Sequence, residues 1–408
     1  MTEHFIPLRR SDLLASLLDG ESVADRPGVG QFAEILFATF HHEFHRDLER
    51  LKDVYAPLDP NKDTRDVLDT AIIDIPAREA AVLQGLEAVL AKGNYRKVDP
   101  AELERALNEE SVFQVKLHAQ LDDFATLTLF ARGNGVSEEI RSDWFGLRKR
   151  PMDVAYYERV LVYARFKEAS AFSPKRLKKL AFKPGATILK LFQNIPKADL
   201  EMLLPNTEVR MRVTDHAMIL VPAVFGGVAA LLKLGASLAL LWYFIVYWMG
   251  LTDKATQLDK AALGLLGLSA LAFGMHIFRQ IGRFRNRKIA FMKALSESLY
   301  FKNLDNNAGV FHRVIDDAEE EEGKEALLAF VFLRRAGKPL TQPELDANVE
   351  GWFKQRHACD LDFEVDDGLA KLVRLGLVTQ HEGRYSALSL ADAKTQLDRR
   401  WDSFFQYA

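Results

Sequence analysis

Residues 218–278 constrain this chain more than any other stretch, because they are almost free of charge in an otherwise polar sequence. Within them, 234–251 (LGASLALLWYFIVYWMGL) and 261–278 (AALGLLGLSALAFGMHIF) contain no Asp, Glu, Lys or Arg. A helix of about 18 residues is ~27 Å long, close to the hydrocarbon thickness of a bilayer. Trp242, Tyr243, Tyr247 and Trp248 lie in the second half of the first run, where aromatic rings favour a membrane–water interface. The polar break 252–260 between the runs makes a tight loop. The pattern predicts a transmembrane helical hairpin with spans near 234–251 and 261–278.

The run 218–232 contains Pro222, Gly226 and Gly227 and is separated from the first span by Lys233. It reads as an interfacial entry segment, with a third crossing as the alternative. Arg279, Arg283, Arg285, Arg287 and Lys288 follow the second span, and Lys233 precedes the first. The positive-inside rule then places both termini on the cytoplasmic side of a membrane, for a bacterial chain the inner membrane. The same six side chains are the candidate lipid-headgroup contacts. Gly235 with Ala239, Ala270 with Gly274, and Gly264 with Gly267 supply small residues for close helix packing. The spans hold no Asp, Glu, Lys or Arg, and His276 is the one side chain in them that titrates near neutral pH, so the pattern favours an anchor over a conduit.

At 408 residues the chain has room for further domains on either side of 218–278. A net charge of −3 excludes a general polyanion-binding character, and the single cysteine, Cys359, excludes an internal disulfide. Residues 1–10 (MTEHFIPLRR) lack the apolar core of a secretory signal.

Residues 1–110 read as an N-terminal helical domain, with helices over 11–18, 31–55, 76–90 and 100–107. In 31–55, Phe32, Ile35, Leu36, Phe40, Phe44, Leu48 and Leu51 recur at steps of three and four. This helix carries His41 and His45 one turn apart, the candidate metal ligands, although the intervening sequence is not HExxH. Asp59, Asn61 and Asp63 resemble the start of a calcium loop, but Thr64 and Thr70 stand where Gly and Glu are required. Residues 111–217 read as an antiparallel β-rich domain. They comprise a hairpin over 113–119 and 124–132, strands over 157–167, 187–192 and 208–213, and a short helix over 195–205. Asp199, Glu201 and Asp215 lie near this sheet without a fixed geometry. The cluster Lys175, Arg176, Lys178, Lys179 and Lys183 reads as a solvated basic linker.

Residues 279–324 form a basic-to-acidic helical connector ending in Asp-Asp-Ala-Glu-Glu-Glu-Glu (316–322), which reads as a solvated face. Three helices and a two-strand wing follow over 325–408, a winged-helix-like order. This region has 11 basic and 13 acidic residues, and its third helix opens Glu364, Asp366, Asp367. A nucleic-acid-binding helix would need the opposite sign.

Several stretches taken together resemble one family: Phe5-Ile6-Pro7, His41-His42-Glu43-Phe44-His45, Tyr55-Ala56-Pro57-Leu58-Asp59-Pro60, Lys190-Leu191-Phe192 and Ile195 to Pro205 (IPKADLEMLLP). The resemblance is to an uncharacterised membrane-protein family of bacteria, plants and animals, whose animal member is a mitochondrial transmembrane protein. It implies a membrane location and carries no activity and no catalytic residue.

The expected fold is α+β: a cytoplasmic helical and antiparallel-sheet domain, a transmembrane hairpin and a C-terminal winged-helix-like domain. The expected role is a non-enzymatic, membrane-anchored scaffold or adaptor with protein partners or a homo-oligomeric state, with no cofactor and no nucleic acid. The alternatives are a metal-dependent hydrolase using His41 and His45, or an oligomeric channel.

Overall fold

The computed structural model describes residues 5–61, 74–108, 116–143, 148–178, 180, 182–210 and 299–405, with scattered residues between 242 and 297 that include 245–250. It is a mixed helical and antiparallel-sheet (α+β) fold. The chain forms two compact units. The larger comprises 1–106, 120–206 and 302–408, the smaller 107–119 and 207–301.

In the larger unit, α1 (Arg10–Asp19) leads into α2 (Arg26–Tyr55), which starts on Pro27 in its first turn. Along α2, Phe32, Leu36, Phe40, Phe44, Leu48, Leu51 and Tyr55 are all buried, a single stripe at steps of four and three. Each such burial contributes about 1.5–3 kcal/mol. α3 (Ile75–Lys92) is capped by Asp74, whose carboxylate accepts the Ala77 N–H at 3.1 Å, and it buries Val82, Leu86, Val89 and Leu90. β1 (Arg96–Lys97) and α4 (Pro100–Asn108) follow, with the Asp99 carboxylate accepting the Ala101 N–H at 2.7 Å.

β3 (Phe124–Asp143) and β4 (Arg148–Phe166) pair from Phe124↔Phe166 to Asp143↔Arg148. β5 (Thr187–Pro196) joins β4 only between Thr187↔Arg165 and Pro196↔Tyr156, and β7 (Asn303–Asn306) completes the order β1-β3-β4-β5-β7. Beyond Tyr156, β3 and β4 therefore continue as a two-stranded ribbon. The one-turn helix α5 (Pro174–Leu177) lies between β4 and β5.

The expected hairpin between 113–119 and 124–132 does not form. β2 (Lys116–His118) pairs instead with β6 (Glu208–Arg210), in the smaller unit. Alternation marks residues as strand but does not choose their partner, and β3 finds a far longer ladder with β4.

α6 (Ala308–Ala336) is the axis of the larger unit, 29 residues in one helix. It stops at Gly337, whose φ of +60° suits a residue without Cβ. Phe330 stacks on Phe32 at 4.1 Å between ring centroids, which joins α6 to α2. β8 (Leu340–Thr341), α7 (Gln342–His357), α8 (Val365–Arg374), β9 (Val378–His381), β10 (Arg384–Ala387) and α9 (Leu390–Ser403) follow. α7 opens on a reciprocal capping box between Thr341 and Glu344. The β9–β10 turn is Glu382-Gly383, with φ of +50° and +74°, which suits the twist of a two-residue hairpin. The three strands lie in the order β8-β10-β9. Core side chains from α1–α3, the sheet, α6 and α7–α9 form one continuous apolar cluster.

In the smaller unit, the described residues correct the membrane reading. Among them no helix is long and apolar enough to cross a membrane. The expected transmembrane hairpin, the membrane region 218–278, and an integral-membrane location with both termini cytoplasmic therefore have no support in this fold. A span needs about 20 apolar residues in one unbroken helix. The longest described piece within 218–278 is the helical turn 245–248, closed by Met249 and Gly250, the latter at φ +72°. Residues 211–241 and 251–263, which hold half of the first predicted span and all of the loop, lie outside the described residues. Leu268, Leu271, Met275 and Phe278 are exposed at helical spacing.

Gly323 lies where α6 crosses α2, and a Cβ built on it would overlap the buried ring of Phe37. Gly323→Ala gains at most about 1 kcal/mol of helix propensity. It should lose about 1–3 kcal/mol to overpacking. The expected net result is a lower midpoint in urea denaturation, whereas a raised midpoint would show that Phe37 can move aside.

Candidate interaction surface

The structure places the sequence-predicted site residues apart. His41 and His45 lie one turn apart on α2, with ring centroids 6.5 Å from each other. His41 Nδ1 is 2.9 Å from the Glu319 carboxylate of α6, and its side chain is 71% exposed. Among the described residues, no group of three or more His, Cys, Asp or Glu side chains is arranged to hold a metal. Asp199 and Glu201 are both buried on the 3-10 turn Lys197–Leu203. Arg176, from the expected basic linker, hydrogen-bonds Gln120 and Asp123.

Of the expected headgroup contacts, Arg279 and Arg285 are exposed, while Lys233, Arg283, Arg287 and Lys288 lie outside the described residues. Of the expected packing residues, Gly264, Gly267 and Gly274 have nothing within 4 Å of a Cβ position. Gly235, Ala239 and Ala270 lie outside the described residues.

The feature that sequence reading missed is the middle of α6. The acidic run expected to be solvated is in part deeply buried: Glu321 is 2% exposed, Glu322 5%, Lys324 5% and Glu325 2%. α8 supplies Lys371, whose ammonium lies 2.5 Å from Glu325 and 3.1 Å from Glu322. Close approach of α8 is possible because of Gly368, where a Cβ would stand 3.1 Å from the Glu325 carbonyl. On another side, Glu321 Oε1 accepts the Ile6 N–H at 2.5 Å and Lys324 donates to the Ile6 carbonyl at 3.2 Å.

Burial drives the titration of this seam. It pushes the Glu325 carboxyl up to about 8 against the pull of Lys371, and Glu321 up to about 7 against the pulls of Lys324 and the Ile6 N–H. Glu322 is raised for the same reason. Burial draws the Lys371 ammonium down, but Glu325 and Glu322 carry it above its ordinary value.

A cavity of about 370 Å³ adjoins this seam, lined by Phe5, Asn94, Tyr95, Arg96, Arg132 and Tyr157 among others. The Arg132 guanidinium lies over two rings, 5.1 Å from Phe5 and 5.0 Å from Tyr95. It donates to the Gly93 carbonyl at 3.3 Å and lies 3.5 Å from Asp317. Its buried Nε has no hydrogen-bond partner among the described residues. The Tyr95 hydroxyl donates to Asp317 at 2.7 Å, and burial raises its pKa strongly. Arg96 grips Glu102 through two hydrogen bonds of 2.9 and 3.1 Å and, helped by Tyr157, holds that carboxyl down at about 2.

The C-terminal region 340–403 carries a cluster of carboxylates at its surface. Asp346, Asp362, Glu364, Asp366 and Asp367 line a shallow depression floored by Phe363 and Val365. Burial, then Glu350, Asp362 and Asp366, push the Asp346 carboxyl up to about 6. Basic side chains of the same region form ion pairs with the rest of the chain: Arg374 and Arg400 reach Glu43 on α2 at 2.9 and 3.1 Å, and Arg356 reaches Asp19 on α1 at 2.6 Å.

A protein-family model described as "Protein of unknown function (DUF3754)" matches residues 157–309. That match agrees with an uncharacterised family and brings no activity with it. No solved structure matches the chain.

Removing Lys371 would leave two buried carboxylates without their cation, a loss of about 3–5 kcal/mol for a broken buried pair. Lys371→Met should lower the urea midpoint accordingly, and less so at pH 5.5, where the glutamates hold their protons. The pH dependence of the wild type has a definite sign. Glu325 and Glu321 have folded pKa values above their unfolded ones, so the folded chain binds more protons above pH ~4.5. Their contribution is complete at low pH and is lost as pH climbs through 7 and 8. Stability should fall from pH ~4.5 to ~8 and level off above that, and Glu321→Gln with Glu325→Gln should flatten that fall. An unchanged slope in the double variant would contradict this account.

Proposed function

We propose that this chain is an interaction protein, a scaffold or adaptor whose C-terminal unit offers an acidic face to a basic protein partner. One observation carries this reading. In the α7–α8 region, five carboxylates line one depression, while Lys371, Arg374, Arg400 and Arg356 are drawn into ion pairs with Glu325, Glu43 and Asp19 of the same chain and Lys354 pairs with Asp360. A face of this sign repels nucleic-acid phosphates and steers a lysine- or arginine-rich surface toward it. The raised Asp346 carboxyl supports the reading, because crowded acids gain when a partner's cation arrives. Ion pairs of α8 and α9 with α6 and α2 hold the face in place, which lowers the ordering cost of binding.

A photo-crosslinking residue at Ala370, exposed on α8 beside this face, tests the reading in cells that express the full chain. The expected outcome is one recurrent protein adduct with a basic contact region. It should be lost in Asp366→Lys with Asp367→Lys and absent from a crosslinker at Glu382 on the wing. Adducts to nucleic acid, or the same adducts from both positions, would overturn it.

A further inference from the structure

Residues 5–9 have no helix or strand of their own, yet Ile6 is only 2% exposed. Its backbone is not read by another backbone. Glu321 takes its N–H and Lys324 its carbonyl, two side chains three residues apart on one face of α6. Glu320 adds a third contact, accepting the Arg10 N–H at 3.0 Å. Pro7 biases Ile6 toward extended backbone, which turns both of its polar groups outward from the chain. Phe5 lies over the Arg132 guanidinium and forms one wall of the cavity beside it.

We propose that this seat on α6 is a peptide-binding groove for an extended aromatic–aliphatic–proline segment, filled here by the chain's own Phe5-Ile6-Pro7-Leu8. Another protein with such a segment competes for it. An acceptor and a donor set for one residue's N–H and C=O form a clamp that recognises an extended peptide whatever its source. The Ile6 socket and the Phe5 platform on Arg132 select the side chains. The charged floor is the second argument. A strap that merely closed the core would be served as well by apolar contacts, since burying Glu321 and Lys324 costs desolvation energy. Departure of the strap opens the groove into the neighbouring cavity, where the Nε of Arg132 awaits an acceptor. The proposal is independent of the acidic face on α7 and α8, and the two can fail separately.

The test uses the full chain with its strap unseated by Phe5→Ala and Ile6→Asp. A fluorescent synthetic peptide of residues 3–10 is titrated against it and binding is read by anisotropy. The expected result is saturable binding, about tenfold or more tighter than to the wild type, whose own strap occupies the seat. Adding Glu321→Gln should weaken it by about tenfold, the worth of a hydrogen bond to a charged acceptor. A peptide with Asp in place of Ile should not bind. No saturation on an unseated chain with native circular dichroism and size would overturn the proposal, as would equal binding with and without Glu321→Gln. If the Asp variant fails to fold, Phe5→Ala with Ile6→Ala takes its place under the same readings. A chain that unfolds even then overturns the proposal, because the strap would be an obligatory part of the core.

Discussion

The pairing of buried charges at the middle of α6 is the interaction on which the rest of the molecule depends. Glu321, Glu322 and Glu325 face Lys324 and Lys371 in a setting where each charge is expensive to desolvate. Such a cluster persists only if every element supplying a partner is held in place. α8 must lie against α6 for Lys371 to reach, and Gly368 permits the approach. The N-terminal segment runs past Glu321 and Lys324, which take the Ile6 N–H and carbonyl. Apolar contacts alone would hold these elements together but would tolerate sliding. The charges fix the register of one element on another.

The same helix organises the remaining parts of the larger unit. One turn before the seam, Asp317 meets Tyr95 and Arg132, so the helical N-terminal region and the sheet join α6 at one place. Toward its end, Phe330 stacks on Phe32, and Arg334 and Arg335 meet Glu21, which joins it to α2 and the α1–α2 turn. A helix of 29 residues is ~44 Å long, enough to touch every layer of a unit this size. The inward ion pairs of the C-terminal unit follow from this central position. Arg374, Arg400 and Lys371 pair with acids on α2 and α6, and Asp346, Asp362, Glu364, Asp366 and Asp367 are left to line the depression on α7 and α8, with Lys354 exposed nearby in a pair with Asp360. The charge of the candidate interaction surface is thus a consequence of how the core is tied.

Much of the local structure was legible before the fold. The stripe from Phe32 to Leu51 marks α2, Thr341 and Glu344 mark the start of α7, and Asp99-Pro100 marks α4. These features depend on neighbours three or four residues away, so a linear reading captures them. The candidate site was not legible in this way. Glu321, Ile6 and Lys371 are separated by hundreds or tens of positions, and nothing in the run 316–322 distinguishes a buried carboxylate from a solvated one. Arg132 sits in an Ala-Arg-Gly-Asn-Gly stretch that signals a strand with glycines, and only the fold brings Phe5 and Tyr95 over it. The apolar run 218–278 was the strongest signal in the sequence, and the spanning helices read from it are not found among the described residues. Hydropathy records which side chains avoid water and is silent on the backbone that carries them.

By itself, then, the sequence determined to within a few residues where most described helices of the larger unit lie, which of their faces are apolar, and that residues 325–408 carry a net negative charge. These are properties of periodicity, capping and composition, and all are short-range. Only the tertiary structure decided that β3 pairs with β4 and not with β2, that an acidic helix segment is core, and that residues 5–8 lie in a charged seat on α6. The physical reason is common to the three. A strand's ladder partner and a buried charge's counterion are set by free-energy differences between alternative long-range contacts, and the chain can compare these only once it is folded.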